Sequence, residues 1–303
     1  MTPLLLPTVG LGCASLGKTE VTEDEAQGTI LAALAAGISY LDTAPLYGCG
    51  LSERRVGRVL RLWKGDAPKL STKVGYVITA PEGSYLGASE RRTDFSRDAV
   101  RRSLELSLRR MDVGRVDLVY IHAPDGMPDQ AEIAFRALSD LRGEGLLDRI
   151  GVGTNCVGTV LEVMRRCPID AALIAGRLTL LNRGAEEGLL GSCAENGVAV
   201  VAGGIFNSGI LAAADPAAAN YDYSPATSRL VAATRDLASS CSRFDVPLKV
   251  AAIQFVARHS GVTTTLLGAA NLRELAECLS GLGSTVPDLL WAELDKVAKR
   301  HAL

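Results

Sequence analysis

The sequence predicts a closed (β/α)8 barrel, and three observations lead to that prediction. Eight short apolar runs recur along the 303 residues, each followed by a stretch with the periodicity of an amphipathic helix. Most of the runs are continuously apolar, which is typical of parallel strands covered on both faces. The main alternative, an open doubly wound sheet, usually has a Gly-x-Gly-x-x-Gly turn after its first strand, and the segment at 10–17 displaces the third glycine. We therefore expect one barrel domain spanning residues 1–303.

Each predicted element follows from a local pattern. The strands are expected at 9–14, 38–43, 69–74, 117–123, 149–155, 171–176, 198–203 and 262–268. A capping box from Thr22 to Glu25 predicts a helix that ends near Gly37, and Ser96 opens another that reaches Met111. The other helices are predicted at 52–62, 131–142, 159–166, 186–196, 228–244, 250–259, 272–279 and 288–300.

Two long loops, 76–95 and 207–225, interrupt this regular pattern. Long loops at the C-terminal face of a barrel serve as lids or substrate walls, or are solvated insertions, and the sequence leaves both readings open.

Composition excludes several classes of function. The net charge is −2 and no basic stripe is present, so we expect no nucleic acid partner. No apolar run is long enough to span a bilayer, so no membrane partner is expected. The seven cysteines are scattered without a Cys-x-x-Cys pair, which favours a reduced, cytoplasmic protein. Three histidines without ligand spacing predict no metal site.

Polar side chains stand at the C-terminal ends of three predicted strands. Asp42 ends the second strand and Tyr47 follows it after a turn, Lys73 lies near the end of the third, and His122 ends the fourth. The C-terminal ends of barrel strands meet on one face, where barrel enzymes keep their chemistry. Taken alone, each residue has a plainer explanation: a turn former, a surface charge or a core histidine. Together the four residues predict one active site.

The chemistry of these four side chains favours general acid–base catalysis at a hydroxyl or carbonyl. A free tyrosine has a pKa of about 10, which a cation within about 4–6 Å lowers. Lys73 can be that cation, and Asp42 can keep the ammonium charged and in place. His122 can hydrogen-bond the reacting oxygen or orient the substrate. Tyr47 is then the expected proton carrier.

The motifs around these residues resemble those of the aldo-keto reductase superfamily. They are Asp-Thr-Ala-Pro-Leu-Tyr-Gly at 42–48 with Leu-Ser-Glu-Arg at 51–54, Ser-Thr-Lys-Val-Gly at 71–75, and Tyr-Ile-His-Ala-Pro-Asp at 120–125. The resemblance implies a metal-free (β/α)8 barrel that moves hydride between a nicotinamide and a carbonyl or alcohol. The family's catalytic residues correspond to Asp42, Tyr47, Lys73 and His122.

A narrower resemblance is to the aldose 1-dehydrogenase group, which includes L-fucose, D-threo-aldose and L-galactose dehydrogenases, with pyridoxal 4-dehydrogenase nearby. It rests on the segments at 91–96, 175–181, 203–209 and 221–225. This resemblance implies a small-molecule substrate, a sugar or pyridoxal, and oxidation of a cyclic hemiacetal to a lactone. The runner-up is NADPH-dependent reduction of aldehydes or ketones. A regulatory subunit that binds nicotinamide without turnover is a third reading.

The resemblance also implies cofactor contacts. Thr154 and Asn155 match the family's Ser-Asn pair for the nicotinamide carboxamide. The family's glutamine on the sixth strand is absent. Gly203 and Gly204 stand where the family stacks an aromatic ring, and Phe206 is the candidate replacement.

The last strand favours NAD over NADP. Gly268 stands where NADP-specific members have a lysine, and Glu274 stands near their arginine. A carboxylate repels a 2′-phosphate and accepts hydrogen bonds from ribose hydroxyls. Arg273, one residue away, keeps NADP open as the alternative. A helix starting near Asn271 is expected to offer N–H groups to the cofactor phosphates.

The substrate pocket is expected between the loops that follow the first, second, third and seventh strands. Its predicted wall residues are Cys13, Leu46, Tyr76, Tyr85 and Phe206. Tyr85, Tyr221 and Tyr223 could stack on a sugar or pyridine ring or simply cover the barrel rim.

Overall fold

Eight parallel strands close into a barrel in the computed structural model, which describes residues 6–81, 83–84 and 91–302. Strands are numbered along the whole chain, and those of the barrel are β1 (Val9–Gly12), β2 (Tyr40–Asp42), β3 (Lys69–Val74), β6 (Val116–His122), β7 (Leu147–Thr154), β8 (Ala171–Ala175), β9 (Ala199–Gly203) and β12 (Thr264–Gly268). Around the barrel the order is β1-β12-β9-β8-β7-β6-β3-β2, with β2 pairing back to β1. The predicted (β/α)8 barrel is therefore confirmed.

Helices cover the outside of the barrel. They are α1 (Glu23–Ala35), α2 (Leu51–Leu62), α3 (Arg97–Met111), α4 (Pro128–Gly143), α5 (Val157–Arg166), α6 (Leu189–Glu195), α7 (Ser228–Ser242), α8 (Leu248–Ala257), α9 (Leu272–Gly283) and α10 (Asp288–His301). The capping box predicted at the start of α1 is present, because Thr22 Oγ1 accepts from the Glu25 amide and Glu25 accepts from the Thr22 amide. Helix α6 begins three residues later than predicted, after Gly188 at φ 83°.

The buried side chains form two clusters. The larger one fills the layer between strands and helices and is almost wholly aliphatic. The smaller one fills the barrel interior with the following residues: Tyr40, Leu118, Tyr120, Ala171, Leu173, Val201 and Leu266. The two tyrosines in this cluster are a feature that the sequence analysis did not predict.

Strand register brings the polar strand ends together. Asp42 pairs with Ser71, Lys73 pairs with Tyr120, and His122 pairs with Gly153. Alternate residues of a strand point to opposite faces, so Ser71 and Lys73 share the interior face of β3. The register therefore places side chains of β2, β3 and β6 at one end of the barrel.

Two short hairpins rise from the barrel rim. In the first, β4 (Tyr76–Ile78) pairs with β5 (Arg91–Thr93), within the long loop predicted after β3. In the second, β10 (Asn220–Tyr221) pairs with β11 (Ser224–Pro225). The two long loops thus contain structure of their own.

Within the described ranges, no helix is long and apolar enough to cross a bilayer. The same part of the chain contains no group of three or more His, Cys, Asp or Glu side chains arranged to hold a metal ion.

Candidate active site

A buried ion pair between Lys73 and Asp42 lies at the centre of the candidate site. Lys73 Nζ is 2.8 Å from Asp42 Oδ1 and 2.7 Å from Oδ2, and it also donates to the carbonyl of Thr43 at 2.9 Å. Both side chains are 2% exposed. Burial alone would lower the pKa of Lys73, but the charge of Asp42 outweighs it and raises that pKa. Lys73 therefore stays a charged ammonium in the barrel interior.

Tyr47 lies over this ammonium, with Lys73 Nζ 4.8 Å from its ring centroid. Its position is fixed by close backbone packing of the turn after β2. A Cβ on Gly48 would be 1.9 Å from the carbonyl oxygen of Gly17, and Gly48 has φ +62°. Only glycine fits at position 48, so the turn that presents Tyr47 is locked against the loop after β1.

The pKa of Tyr47 differs from the expectation. Burial raises it most, the charge of Lys73 lowers it, and the charge of Asp42 raises it, so that it reaches about 12. Lys73 acts in the predicted direction, but it does not overcome the loss of hydration. The prediction of a net lowered pKa is therefore wrong.

His122 faces Tyr47 across the barrel mouth, with a ring-centroid distance of 6.4 Å and an edge-on geometry. Burial, then the charges of Lys73 and Arg91, lower its pKa from 6.5 to about 3. His122 is therefore neutral at physiological pH and can donate one hydrogen bond and accept another. The structure brings all four predicted catalytic residues to one place.

Three polar residues beneath the ion pair escaped sequence analysis. Ser71 Oγ donates to Asp42 Oδ1 at 2.7 Å. Tyr40 lies 2.8 Å from Ser71 and 3.2 Å from Tyr120, measured between hydroxyl oxygens. The signal that could have revealed two of them was period-two spacing, because Tyr40 precedes Asp42 by two residues and Ser71 precedes Lys73 by two.

On the opposite side of the barrel mouth, the three strands end in alanine or glycine. Strands β8, β9 and β12 end in Ala175, Gly203 and Gly268. At Gly204, φ is +60° and a Cβ would be 3.0 Å from the amide nitrogen of Gly176, so the backbones of the two loops approach closely. We call the half formed by β2, β3 and β6 the polar half, and the half formed by β8, β9 and β12 the open half.

Thr154 and Asn155 lie at the end of β7, between the two halves. Thr154 is buried and its hydroxyl donates to Asp125 Oδ1 at 2.7 Å, whereas Asn155 is partly exposed. The hydroxyl hydrogen of Thr154 is therefore already used within the protein. A contact of either residue with a carboxamide stays a prediction.

Helix α9 begins at the open half. Asn271 caps it, since its Oδ1 accepts from the Glu274 amide at 3.0 Å, while Glu274 Oε2 accepts from the Ala270 amide at 2.8 Å. Gly268 is exposed, and a Cβ there would meet no atom of the described residues within 4 Å. The predicted helix start is confirmed, and the Glu274 carboxylate is engaged in its cap. A ribose contact of Glu274 stays a prediction.

The predicted substrate residues have different surroundings. Tyr76 packs edge-on against His122 at 5.2 Å between ring centroids, and Leu46 is partly exposed beside Tyr47. Cys13 is fully buried, and burial together with the charge of Asp42 raises its thiol pKa. Phe206 is partly buried, with Lys249 Nζ 5.7 Å from its ring centroid. Tyr85 lies outside the described residues.

The second hairpin reaches towards the site. Arg177, after β8, makes a two-pronged ion pair with Asp222 at 3.1 and 2.7 Å. The next residue, Tyr223, is 88% exposed but close enough to raise the pKa of Tyr47. Tyr221 instead points away, and its hydroxyl accepts from Asn182 at 3.1 Å.

Comparison with known proteins decides the family. A family model described as the aldo/keto reductase family matches residues 8–299. The chain belongs to this family. As an aldo/keto reductase it is an oxidoreductase of small molecules that works with a nicotinamide cofactor, NAD(H) or NADP(H).

Individual relatives of this aldo/keto reductase span its full length. D-threo-aldose 1-dehydrogenase of a Pseudomonas species is 34% identical, covering 96% of this chain and 94% of that protein. Pyridoxal 4-dehydrogenase of Microbacterium luteolum is 32% identical, covering 97% and 94%. Among solved structures, an aldo-keto reductase of Bacillus halodurans superposes with a TM-score of 0.79 at 25% identity, covering 97% and 95%. The resemblance stated from the motifs is confirmed.

Proposed function

We propose that this aldo/keto reductase oxidises the anomeric carbon of an aldose, in its cyclic hemiacetal form, to the lactone with NAD. L-fucose, L-galactose and D-arabinose are the candidate sugars. The supporting observation is the Lys73–Asp42 pair beneath Tyr47 and opposite His122, in a chain that is 34% identical to D-threo-aldose 1-dehydrogenase. The general acid–base groups of the site and the family to which the chain belongs both support oxidation or reduction at a hydroxyl or carbonyl carbon.

In this proposal each polar side chain has one task. The anomeric hydroxyl lies against Tyr47 and His122, and neutral His122 orients it by a hydrogen bond. Tyr47 takes the hydroxyl proton, and the Lys73 ammonium stabilises the phenolate. Asp42 keeps that ammonium charged and fixed. A bound nicotinamide would accept the hydride that leaves the anomeric carbon. The lactone that results is then opened by water.

The open half of the mouth fits an extended nicotinamide cofactor. Its strands end without bulky side chains, and α9 directs its first amide groups towards the same side. We assign Asn155, Gly203, Gly204 and Phe206 to the nicotinamide end, and Gly268 and Asn271 to the far end. The absence of a cation at Gly268, together with the Glu274 carboxylate, supports NAD rather than NADP.

Pyridoxal is the second candidate substrate, because pyridoxal 4-dehydrogenase is 32% identical over nearly the whole chain. Tyr76 beside His122 offers an aromatic face that a pyridine ring or a sugar could stack on. NADPH-dependent reduction of aldehydes uses the same four residues in reverse. We place the protein in the cytoplasm, because its seven cysteines are scattered along the sequence without a Cys-x-x-Cys pair.

The test is NAD(P)H formation, followed by ultraviolet absorbance. Purified protein is given NAD or NADP with L-fucose, L-galactose, D-arabinose or pyridoxal. Sugar turnover with NAD well above NADP is the expected result. Turnover of pyridoxal alone keeps the chemistry and changes the substrate. Silence with all four, together with NADPH consumption on simple aldehydes, refutes the dehydrogenase proposal.

Tyr47→Phe is the matched control for chemistry. It keeps the ring over Lys73 and removes only the hydroxyl, so turnover should fall by roughly 10²–10⁴-fold. Cofactor binding, measured by quenching of protein fluorescence, should stay close to that of the unmodified protein. Turnover that survives this change would show that Tyr47 is not the proton carrier.

A further inference from the structure

We propose that Ser71 is a positioning residue for the Lys73–Asp42 pair, and that Tyr40 and Tyr120 hold it through a one-way chain of hydrogen bonds. The inference rests on the proposed roles of Tyr47 and Lys73. All three side chains are fully buried, and their hydrogen bonds reach the ion pair through Asp42 Oδ1.

The ionised carboxylate fixes the direction of the chain. A carboxylate only accepts hydrogen bonds, so the single hydroxyl hydrogen of Ser71 goes to Asp42 Oδ1. Ser71 Oγ must then accept from Tyr40, and the Tyr40 oxygen in turn accepts from Tyr120. All three donors therefore point towards Asp42. Such a chain strengthens each of its bonds by polarisation.

The barrel interior is built around the two tyrosine rings. A Cβ on Gly10 would be 2.7 Å from Tyr40 Cδ1, and a Cβ on Gly151 would be 2.6 Å from Tyr120 Cδ1. Glycine within a strand weakens it and marks close approach. Strands β1 and β7 thus have a glycine at the point where each tyrosine ring packs against the backbone, and a larger residue there would displace the ring.

The two phenols act as donors and not as acids. Both are fully buried, and burial raises the pKa of each far above that of a free tyrosine. They stay protonated at neutral pH. The chain therefore moves no net proton, and its contribution is to stabilise the negative charge of Asp42 at Oδ1, the oxygen that also accepts from Lys73.

The expected consequence is visible in the pH dependence of turnover. The charge of Asp42 raises the pKa of Tyr47. Removing the Ser71 hydroxyl leaves more of that charge unscreened, so the phenolate forms less readily. Ser71→Ala should shift the alkaline rise of sugar oxidation upward by about one half to one pH unit. It should lower kcat at neutral pH about three- to tenfold, with KM nearly unchanged.

A graded series of isosteric variants separates positioning from simple stability. Tyr40→Phe should give a smaller shift than Ser71→Ala, and Tyr120→Phe the smallest. Thr72→Val is the matched control, because Thr72 lies next to Ser71 on β3 and also donates to a buried carboxylate, Glu53 Oε1, at 2.5 Å. It should lower the melting temperature but leave the pH profile in place. An unshifted Ser71→Ala profile, or an equal shift in Thr72→Val, overturns the inference.

A second readout does not depend on turnover. The buried Lys73 ammonium should give a slowly exchanging nitrogen-15 NMR signal, assigned by its loss in Lys73→Met. Ser71→Ala should speed its exchange with water several-fold, while Thr72→Val should not. If the unmodified protein turns over no substrate, the proposed function fails alone and this signal still decides the role of Ser71. An unchanged signal in Ser71→Ala refutes it.

Discussion

Replacing Lys73 by Met should destabilise the protein far more than the loss of a surface charge would. Lys73 is 2% exposed and donates to both oxygens of Asp42 and to the Thr43 carbonyl. Met matches its length and leaves Asp42 buried with the Ser71 hydrogen bond. Breaking a buried pair by removing one partner costs about 3–5 kcal/mol. For a chain of this size that lowers the melting temperature by roughly 5–8 °C.

A double-mutant cycle isolates the pair from other effects. Asp42→Asn, Lys73→Met and the double variant are unfolded by guanidinium at neutral pH beside the unmodified protein. Each single variant removes one of the two paired charges and leaves the other buried without its counter-charge, whereas the double variant leaves no buried charge at these two positions. The double variant should therefore recover much of the loss, with a coupling free energy of about 2 kcal/mol or more. All four chains should bind cofactor if they fold, which serves as the control for a native barrel.

The outcome that contradicts this reasoning is additivity. If the double variant loses as much stability as the two single variants together, Lys73 and Asp42 do not stabilise one another. The tight ion pair would then contribute nothing to folding. A Lys73→Met chain with an unchanged melting temperature would refute the burial of the ammonium as well.

Three further predictions follow from the same site. Burial lowers the pKa of His122 from 6.5 to about 3, so the stability that depends on its neutral form is present above pH 6.5 and is lost as the pH falls towards 3. In His122→Gln the melting temperature should therefore depend less on pH between 6.5 and 3. An unchanged pH dependence of the melting temperature would contradict this prediction. Gly48→Ala should cost about 2 kcal/mol or more, because φ is +62° and the Cβ would meet Gly17, whereas Gly114→Ala, which has open space, should be nearly neutral by thermal unfolding. Gly268→Lys should leave stability unchanged, since no atom in the described part of the chain lies within 4 Å of a Cβ there, and should raise the NADP-to-NAD ratio of kcat/KM about tenfold. A ratio that does not move shows that the far end of the cofactor lies elsewhere.

The barrel could be predicted from sequence because its signals are local and repeated. The eight apolar runs correspond to the eight strands, and boundaries differ by only a few residues. Capping at Thr22 and the break at Pro247 were predicted because each depends on a few adjacent residues. Helix α9 was predicted to end at 279 and continues to Gly283, because Gly281 lies inside the helix, where it packs closely against Ile253.

The positions of the four candidate catalytic residues could be predicted, because they lie at strand ends. Their pKa values and the hydrogen bonds beneath them could not, because these depend on residues that are distant in the sequence. Asp42, Tyr47, Lys73 and His122 converge because parallel strands end on one face. The pKa of Tyr47 was not predictable, because burial opposes Lys73 and only the three-dimensional surroundings give the sum. Tyr40, Ser71 and Tyr120 were missed because their bonds span up to 80 residues of sequence.

The division of the barrel mouth has a consequence for how such enzymes could be recombined. All four proposed catalytic side chains come from the chain up to His122, and the proposed cofactor positions all come from Thr154 onward. Helix α4 (Pro128–Gly143) lies between them on the outside of the barrel. A chimera joined within α4 would take its acid–base chemistry from one parent and its cofactor preference from another. Inheritance of the two traits from separate parents would show that the two halves of the mouth are independent modules.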